Sequence, residues 1–301
     1  MPTFEELLKD KNKRLEEIPM ALQTAVQKQQ KKVLEDVLGK LSQLDVKDGQ
    51  IKINSKNIKA IADISEELKS ALLNDEYLKA VKAFSKEFDV QATINNKLIK
   101  AGFGETENPI AAEAYINIAK RGAVDALVGS PIDSNFIKPI QGLLEQAVIS
   151  GATINETITS VRTFVEGSAE SDGKILKYVK QITNDSFAIA DRSYTSIVSD
   201  YLSNDWFYYA GSEVENTRCF CEERVGKYFH YKEIESWGNG ENLGDCNTGG
   251  GKWAGQIPGT NAATIYSYLG GYNCLHSLVP VSKAIVPEAD IERARSLGYI
   301  N

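Results

Sequence analysis

The chain changes character once, and abruptly, near Asn204. All four cysteines, both histidines and all three tryptophans lie beyond that point, with a dense set of glycines. Before it, apolar residues recur at the three- and four-residue steps that place side chains on one stripe of a helix. A stripe of that kind specifies helices packed on one another. A segment rich in glycine and aromatics, with no helical period, specifies short strands and loops held by particular contacts. The expected fold is α+β. A predominantly α-helical N-terminal region covers residues 1–203, with a sub-boundary near 102–109. A small C-terminal α+β module of short strands and loops covers 204–301.

Within the helical region, Leu22, Val26, Val33, Val37, Leu41 and Leu44 form the first stripe, over Ile18 to Leu44. The run Gln27 to Lys32 offers a nucleic-acid patch or a solvated helix face, and such runs are more often the latter. Gly49 closes this segment, and Ile51 with Ile53 suggests a short extended piece. A helix near Ser55 would turn Ile58, Ile61 and Leu68 inward. Another follows the capping pair Asn74-Asp75, with Tyr77, Val81, Phe84 and Phe88 on one face as core or as a seat for a partner helix. Gly102, Gly104 and Asn108-Pro109 mark a break, and Gly129-Ser130-Pro131 ends the helix that follows. Shorter helices are expected over Phe136 to Val148 and Ile154 to Val165, the second opened by a Thr153/Glu156 capping box. After the loop Glu166 to Gly173, a long helix carries Ile175, Val179, Ile182, Ala190, Ile197 and Tyr201.

The formal net charge of −7 disfavours wrapping of a polyanion by the whole surface. The sequence has no run of eighteen apolar residues, so no membrane span is expected. The N-terminus is charged and lacks an apolar core, so no secretory signal is expected. The default compartment is then a reducing cytosol, in which four thiols stay free or bind metal.

The chemistry-bearing residues are confined to the module. Cys219 and Cys221 are two apart, as are Cys274 and His276, and on extended backbone such pairs share a face. Side by side, the four would suit tetrahedral zinc, with Cys246 or His230 as substitutes for one of them. The one-residue spacing departs from the usual Cys-x2-Cys knuckle. A packed set of reduced, buried cysteines is the competing arrangement, and a disulfide formed after lysis is a third. A nuclease built on His230 or His276 would need a His-Asn-His or paired-carboxylate segment, and neither surrounds them. A cysteine nucleophile served by His276 would lack a marked orienting carboxylate. Asn247 to Lys252 is glycine-rich but lacks the Gly-x4-Gly-Lys-[Ser/Thr] pattern, so it reads as a surface loop. Trp237 and Trp253 read as core, and Arg218 as the cation of a buried or interface ion pair.

Several segments of the module follow one another in an order found elsewhere. They are Trp206-Phe-Tyr-Tyr-Ala-Gly211, Glu215-Asn-Thr-Arg-Cys-Phe-Cys221, Gly226-Lys-Tyr-Phe-His230, Trp253-Ala-Gly-Gln-Ile-Pro-Gly-Thr-Asn261 and Gly270-Gly-Tyr-Asn-Cys-Leu-His276, closed by Val279-Pro-Val281. In this order they resemble the C-terminal domain of the phage Mu protein F-like minor head proteins of tailed bacteriophages and prophages, over about Trp206 to Val286. Glu215 stands near where the family has Asp, and Leu275 where Arg is common. No upstream motif matches.

The resemblance implies a minor structural protein of the phage head, internal and portal-proximal, acting in capsid morphogenesis, DNA packaging or ejection. It implies portal or major capsid protein as partner, contact with packaged DNA, no membrane, and assembly in the bacterial host cytoplasm into the virion. Under this reading the chain is not an enzyme and needs no cofactor. Arg218, Cys219, Asn273, Cys274 and His276 are then structural determinants of the module. Zinc on Cys219, Cys221, Cys274 and His276 defines the first alternative, a zinc-stabilised nucleic-acid-binding module. A virion-delivered nuclease or toxin is the second. Relatives sometimes carry a toxin domain after the module, and the roughly fifteen residues past Val286 leave no room for one here.

Overall fold

A computed structural model of the protein describes residues 2–104 and 108–301, apart from the side chains of residues 65 and 66. The fold is α+β and mostly helical: 66% of the chain is helix, and the one sheet longer than a two-residue hairpin is small, antiparallel and C-terminal. The helices of the first two hundred residues are α1 (Phe4–Leu41), α2 (Ser55–Leu72), α3 (Asp75–Phe103), α4 (Ile110–Val128), α5 (Ser130–Ile132), α6 (Lys138–Ser150), α7 (Ile154–Glu166) and α8 (Lys174–Tyr201). A π-helical turn, Asp133–Ile137, joins α5 to α6. Short hairpins pair β1 (Val46–Lys47) with β2 (Gln50–Ile51) and β3 (Gly167–Ser168) with β4 (Ser171–Asp172). Residues 105–107 of the expected sub-boundary lie outside the described residues.

The chain divides into two compact units, one from Pro19–Ser85 and Arg121–Thr183, the other from Met1–Ile18, Lys86–Lys120 and Asn184–Asn301. In the first, the stripe from Leu22 to Leu44 is buried, as are Tyr77, Val81 and Phe84. Asn74 caps α3 by accepting from the Tyr77 N–H, and the Thr153/Glu156 capping box opens α7. Three expectations for this unit need correction. Ile58 is 57% exposed, because Asn57 takes the inward position and bonds the Asp45 and Lys52 carbonyls, which turns the face by one residue. Ile53 is exposed and only Gln50–Ile51 is strand, so the extended piece is shorter than the two isoleucines suggested. The Gln27 to Lys32 run is not a uniformly solvated face. Gln29 and Gln30 are buried, Gln29 bonded to Asn74 and Gln30 to the Val165 carbonyl, while Lys28, Lys31 and Lys32 stay exposed.

In the other unit α1 begins at Phe4, well before the apolar stripe, because Thr3 and Glu6 form a capping box and Leu7 and Leu15 supply a sparse inward face. Phe88, on the stripe of α3, packs edge-on against Phe187. The inward face of α8 mixes polar residues with apolar ones here. Asp191, Arg192, Ser193, Thr195 and Ser199 are buried, whereas Tyr201, expected on the apolar stripe, is 58% exposed. Lys11 and Asp191 form a fully buried ion pair at 2.9 Å. Asn95 joins it by accepting from Lys11 and donating to Asp191, and Gln91 donates to Asp191 as well. Burial presses the Lys11 pKa down and the carboxylate opposes it.

The C-terminal part of this unit contains β5 (Trp206–Ala210), α9 (Cys219–Glu222), β6 (Tyr228–His230), α10 (Tyr231–Gly238), α11 (Ile265–Tyr268), β7 (Ser277–Val281) and α12 (Glu288–Ser296). β5 is the central strand, antiparallel to β6 on one side and β7 on the other. Its alternation serves two cores at once. Phe207 and Tyr209 join Phe220, Trp237, Trp253 and Leu278, while Trp206 and Tyr208 pack with Val281, Ile291 and Phe4. At the margins of the sheet, Pro280 sits opposite Phe207 in a β7 that is buried throughout, and Arg293 of α12 donates to the Tyr228 carbonyl of β6. The tail helix begins just after Pro287.

Candidate functional site

The pattern that motivated a four-ligand cluster assumed that both Cys-x-Cys and Cys-x-His run on extended backbone. Cys219 to Cys221 does not. The segment forms a helical turn, so successive side chains rotate by about 100° and positions two apart face different ways. Cys219 is exposed and forms a disulfide with Cys246, whereas Cys221 points into the core as a free thiol. Two expectations are corrected here: the set Cys219, Cys221, Cys274 and His276 does not converge, and the four thiols are not all reduced.

Cys274 to His276 leads extended into β7, and this pair does share a face, with Cys274 Sγ 3.8 Å from His276 Nδ1. Cys221 Sγ lies 3.7 Å from Cys274 Sγ and receives a hydrogen bond from the Tyr209 hydroxyl at 3.3 Å. The result is a buried cluster of two thiols, one imidazole and one phenol. Glycine makes it close: a Cβ at Gly270 would stand 2.3 Å from Cys221 Sγ and 2.9 Å from Cys274 Sγ. Gly271, at φ +99°, lets the next turn pass within contact of the Gly255 carbonyl, which accepts from the Tyr272 N–H.

Charges around the cluster separate the two thiols. Cys274 is held low, because its sulfur accepts from Cys221 and lies near the His276 ring and the Arg192 guanidinium. Cys221 is pushed up, because it donates to Cys274 and is buried. Burial also holds the Tyr209 hydroxyl in its protonated form.

Arg192 of α8 is the main brace of this region, and nothing in the sequence reading singled it out. Its Nε donates to the Ser267 carbonyl at 2.7 Å, and its Nη1 to the carbonyls of Cys274 and His276 at 2.9 and 3.1 Å. One turn pair earlier on the helix, Asp185 accepts from the Asn273 N–H at 2.6 Å, and Asn184 donates to the Asn273 side chain at 3.1 Å. Asn273 sits at φ +56°, a left-handed conformation that asparagine tolerates. The signal for this brace was present as Asp185 and Arg192, seven residues or about two turns apart and so on one helix face.

Arg218, read as the cation of a buried or interface ion pair, makes no ion pair within the chain among the described residues. It is half-buried, with its guanidinium laid over Gly255 where a Cβ would touch Nε at 2.6 Å. The buried cation of the module is instead Arg224, bonded to the carbonyls of Phe220 and Asn242 and stacked 4.1 Å from the Phe220 ring and 4.6 Å from Trp237. His230 is separate from the cluster: it is buried, caps α10 through Nδ1 and meets Trp206 edge-on.

Two open clefts border the C-terminal part of this unit, and neither is lined by the cluster. One, of about 450 Å3, is bordered by Asp200, Asp205, Tyr231, Glu235 and Tyr266. The other, of about 560 Å3, is bordered by the glycine-rich loops 238–240 and 250–259, with Lys252 and Trp253. The cluster's chemistry is therefore that of a dry, enclosed ligand set: it can hold a soft metal ion or pair its two thiols, and no substrate-sized opening leads to it through these clefts. No protein-family model, curated protein or solved structure matches this chain.

Proposed function

We propose that this chain is a minor structural protein of a tailed-phage head, internal and portal-proximal, acting in capsid morphogenesis or in DNA packaging and ejection. The observation that carries the reading is the ordered set of segments resembling the Mu protein F-like C-terminal domain, from Trp206 to Val281. Its support from the fold is that those segments share one packed body. β5 pairs with both β6 and β7, the Cys219–Cys221 turn meets Cys274 and His276, and the Trp253 loop stacks on Phe220 at 4.3 Å. The buried arginines are spent on the body itself, through the bonds of Arg192 and Arg224 to backbone carbonyls. Under this reading the partners are the portal and the major capsid protein of the same phage, met through the surfaces of the helices and of the module.

The test is mass spectrometry of purified particles and procapsids from a host producing the phage, with cross-linking to locate the neighbour. The chain is expected in both, at a few copies per particle, with cross-links to the portal protein. Absence from both particle types removes the proposal.

A zinc-stabilised nucleic-acid-binding module is the second reading. The observation in its favour is the enclosed Cys221, Cys274 and His276 cluster.

A further inference from the structure

We propose that Cys221, Cys274 and His276 form a structural zinc site, with the Tyr209 hydroxyl as the oxygen available beside them. The inference does not rest on the head-assembly reading. It concerns what holds the module together, whichever partner the module meets.

The spacing of the donor atoms is the first argument. With zinc–sulfur bonds of about 2.3 Å, two sulfurs 3.7 Å apart subtend about 107° at the metal. With a zinc–nitrogen bond of about 2.05 Å, the 3.8 Å from Cys274 Sγ to His276 Nδ1 corresponds to about 120°. Both values lie close to the tetrahedral angle, and the ligand atoms of all three residues lie within 4.8 Å of one another.

The second argument is that His276 is poorly served as an ordinary core residue. It is 7% exposed, its Nδ1 has only a sulfur at 3.8 Å, and its Nε2 is buried with no partner among the described residues. Buried polar atoms are normally hydrogen-bonded, and leaving them unpaired costs free energy. Coordination through Nδ1 replaces that weak sulfur contact with a bond to the metal, and Nε2 then carries the proton of the neutral ring.

Charge and support are the third argument. A zinc ion with two thiolates and a neutral imidazole carries no net charge, which suits a site from which water is excluded. Loading requires both thiols to lose their protons. The backbone behind the ligands is held by Arg192, whose bonds to the Cys274 and His276 carbonyls fix the ligand-bearing segment as an outer support does in known metal sites. Gly270 lets main chain cover the sulfurs directly, which gives the closed character of a structural rather than a catalytic centre.

The alternative cluster of Cys219, Glu223 and Cys246 sets the design of the test, because reduction would free those two thiols. Full-length protein without a histidine tag is titrated anaerobically with Co2+ and then Zn2+. Full-length protein carrying Cys219→Ser and Cys246→Ser, in which only Cys221 and Cys274 remain, is titrated in parallel. Both are expected to take up about one equivalent of cobalt. They should show thiolate-to-cobalt charge transfer and the visible bands of a four-coordinate ion, bleached by equimolar zinc. Cys221→Ser and Cys274→Ser each abolish the charge-transfer band, and His276→Gln changes the visible envelope while both thiolates remain. Far-ultraviolet circular dichroism identifies variants that fail to fold, and for those the unmodified chain decides. The proposal is overturned if folded, unmodified protein gives no charge-transfer band. It is equally overturned if the band survives Cys221→Ser but is lost with Cys219 and Cys246, or if mass mapping finds Cys221 joined to Cys274 as a disulfide.

Discussion

The helices packed by α2, α6 and α7 and the module built on β5 reach order by different routes. In the helices, side chains repeat at a helical period and any one of them is a modest part of a stripe. In the module, backbone passes so close to backbone and sulfur that single glycines decide the path, and arginines reach bare carbonyls to close the loops. Periodic packing distributes its tolerance over many residues, whereas close approach concentrates it in a few. The two regions should therefore answer the same substitution with opposite signs.

The sharpest challenge to this contrast lies inside the helices. If stripes alone held them, a polar change there would cost little, but the Lys11–Asp191 pair is wholly buried and crosslinks α1 to α8 through Asn95. Asp191→Asn leaves the Lys11 ammonium without its counter-charge and is expected to destabilise by about 3–5 kcal/mol. A urea midpoint followed by helical circular dichroism measures it, and an unchanged midpoint would show that the pair is dispensable.

Next in size is Gly271→Ala. The new Cβ would meet the Gly255 carbonyl at 1.9 Å from a backbone at φ +99°, for a loss of about 3 kcal/mol. Tryptophan emission isolates the response, since Trp206, Trp237 and Trp253 all lie in the module. The same exchange at Gly142, which is solvent-exposed in α6 with open space around its Cα, is expected to stabilise by about 0.5–1 kcal/mol. Equal signs at the two glycines would dissolve the contrast.

The smallest effect is a pH step at the start of α7. Hydrogen bonds from the Thr153 N–H and hydroxyl hold the Glu156 carboxylate below its ordinary value of 4.5. A depressed carboxylate stabilises the fold above its unfolded pKa, and that contribution disappears as pH falls through the folded value. The stability difference between the unmodified chain and Glu156→Gln should then be constant at neutral pH and shrink below about 4.5. A difference independent of pH would remove Glu156 from the cap.

What was readable in advance follows the same division. The capping box at Thr153, the aromatic stripe from Tyr77 to Phe88 and the strand Trp206–Ala210 announce themselves, because each is a local pattern with a local cause. Ile58 was misread because a single inward asparagine rotated the face, and a hydropathy pattern gives no weight to an amide that bonds two carbonyls. The cysteines were misassigned for a related reason. A four-residue helical turn is too short to show a period, so Cys219 and Cys221 looked alike although one faces solvent and the other the core. Arg192 was missed because its partners are backbone carbonyls more than seventy positions away, and carbonyls leave no trace in a sequence.

The margins of the small sheet bear on how any assembly could form. A strand added to an open edge needs a row of free N–H and C=O groups. Along β7 that row is interrupted by Pro280, which has no N–H to offer, and the strand is buried besides. Along β6 the Tyr228 carbonyl is already taken by Arg293. Pro280 and Arg293 therefore work against a strand added at either margin, and a molecule that met this sheet would have to use side chains and loop shape instead.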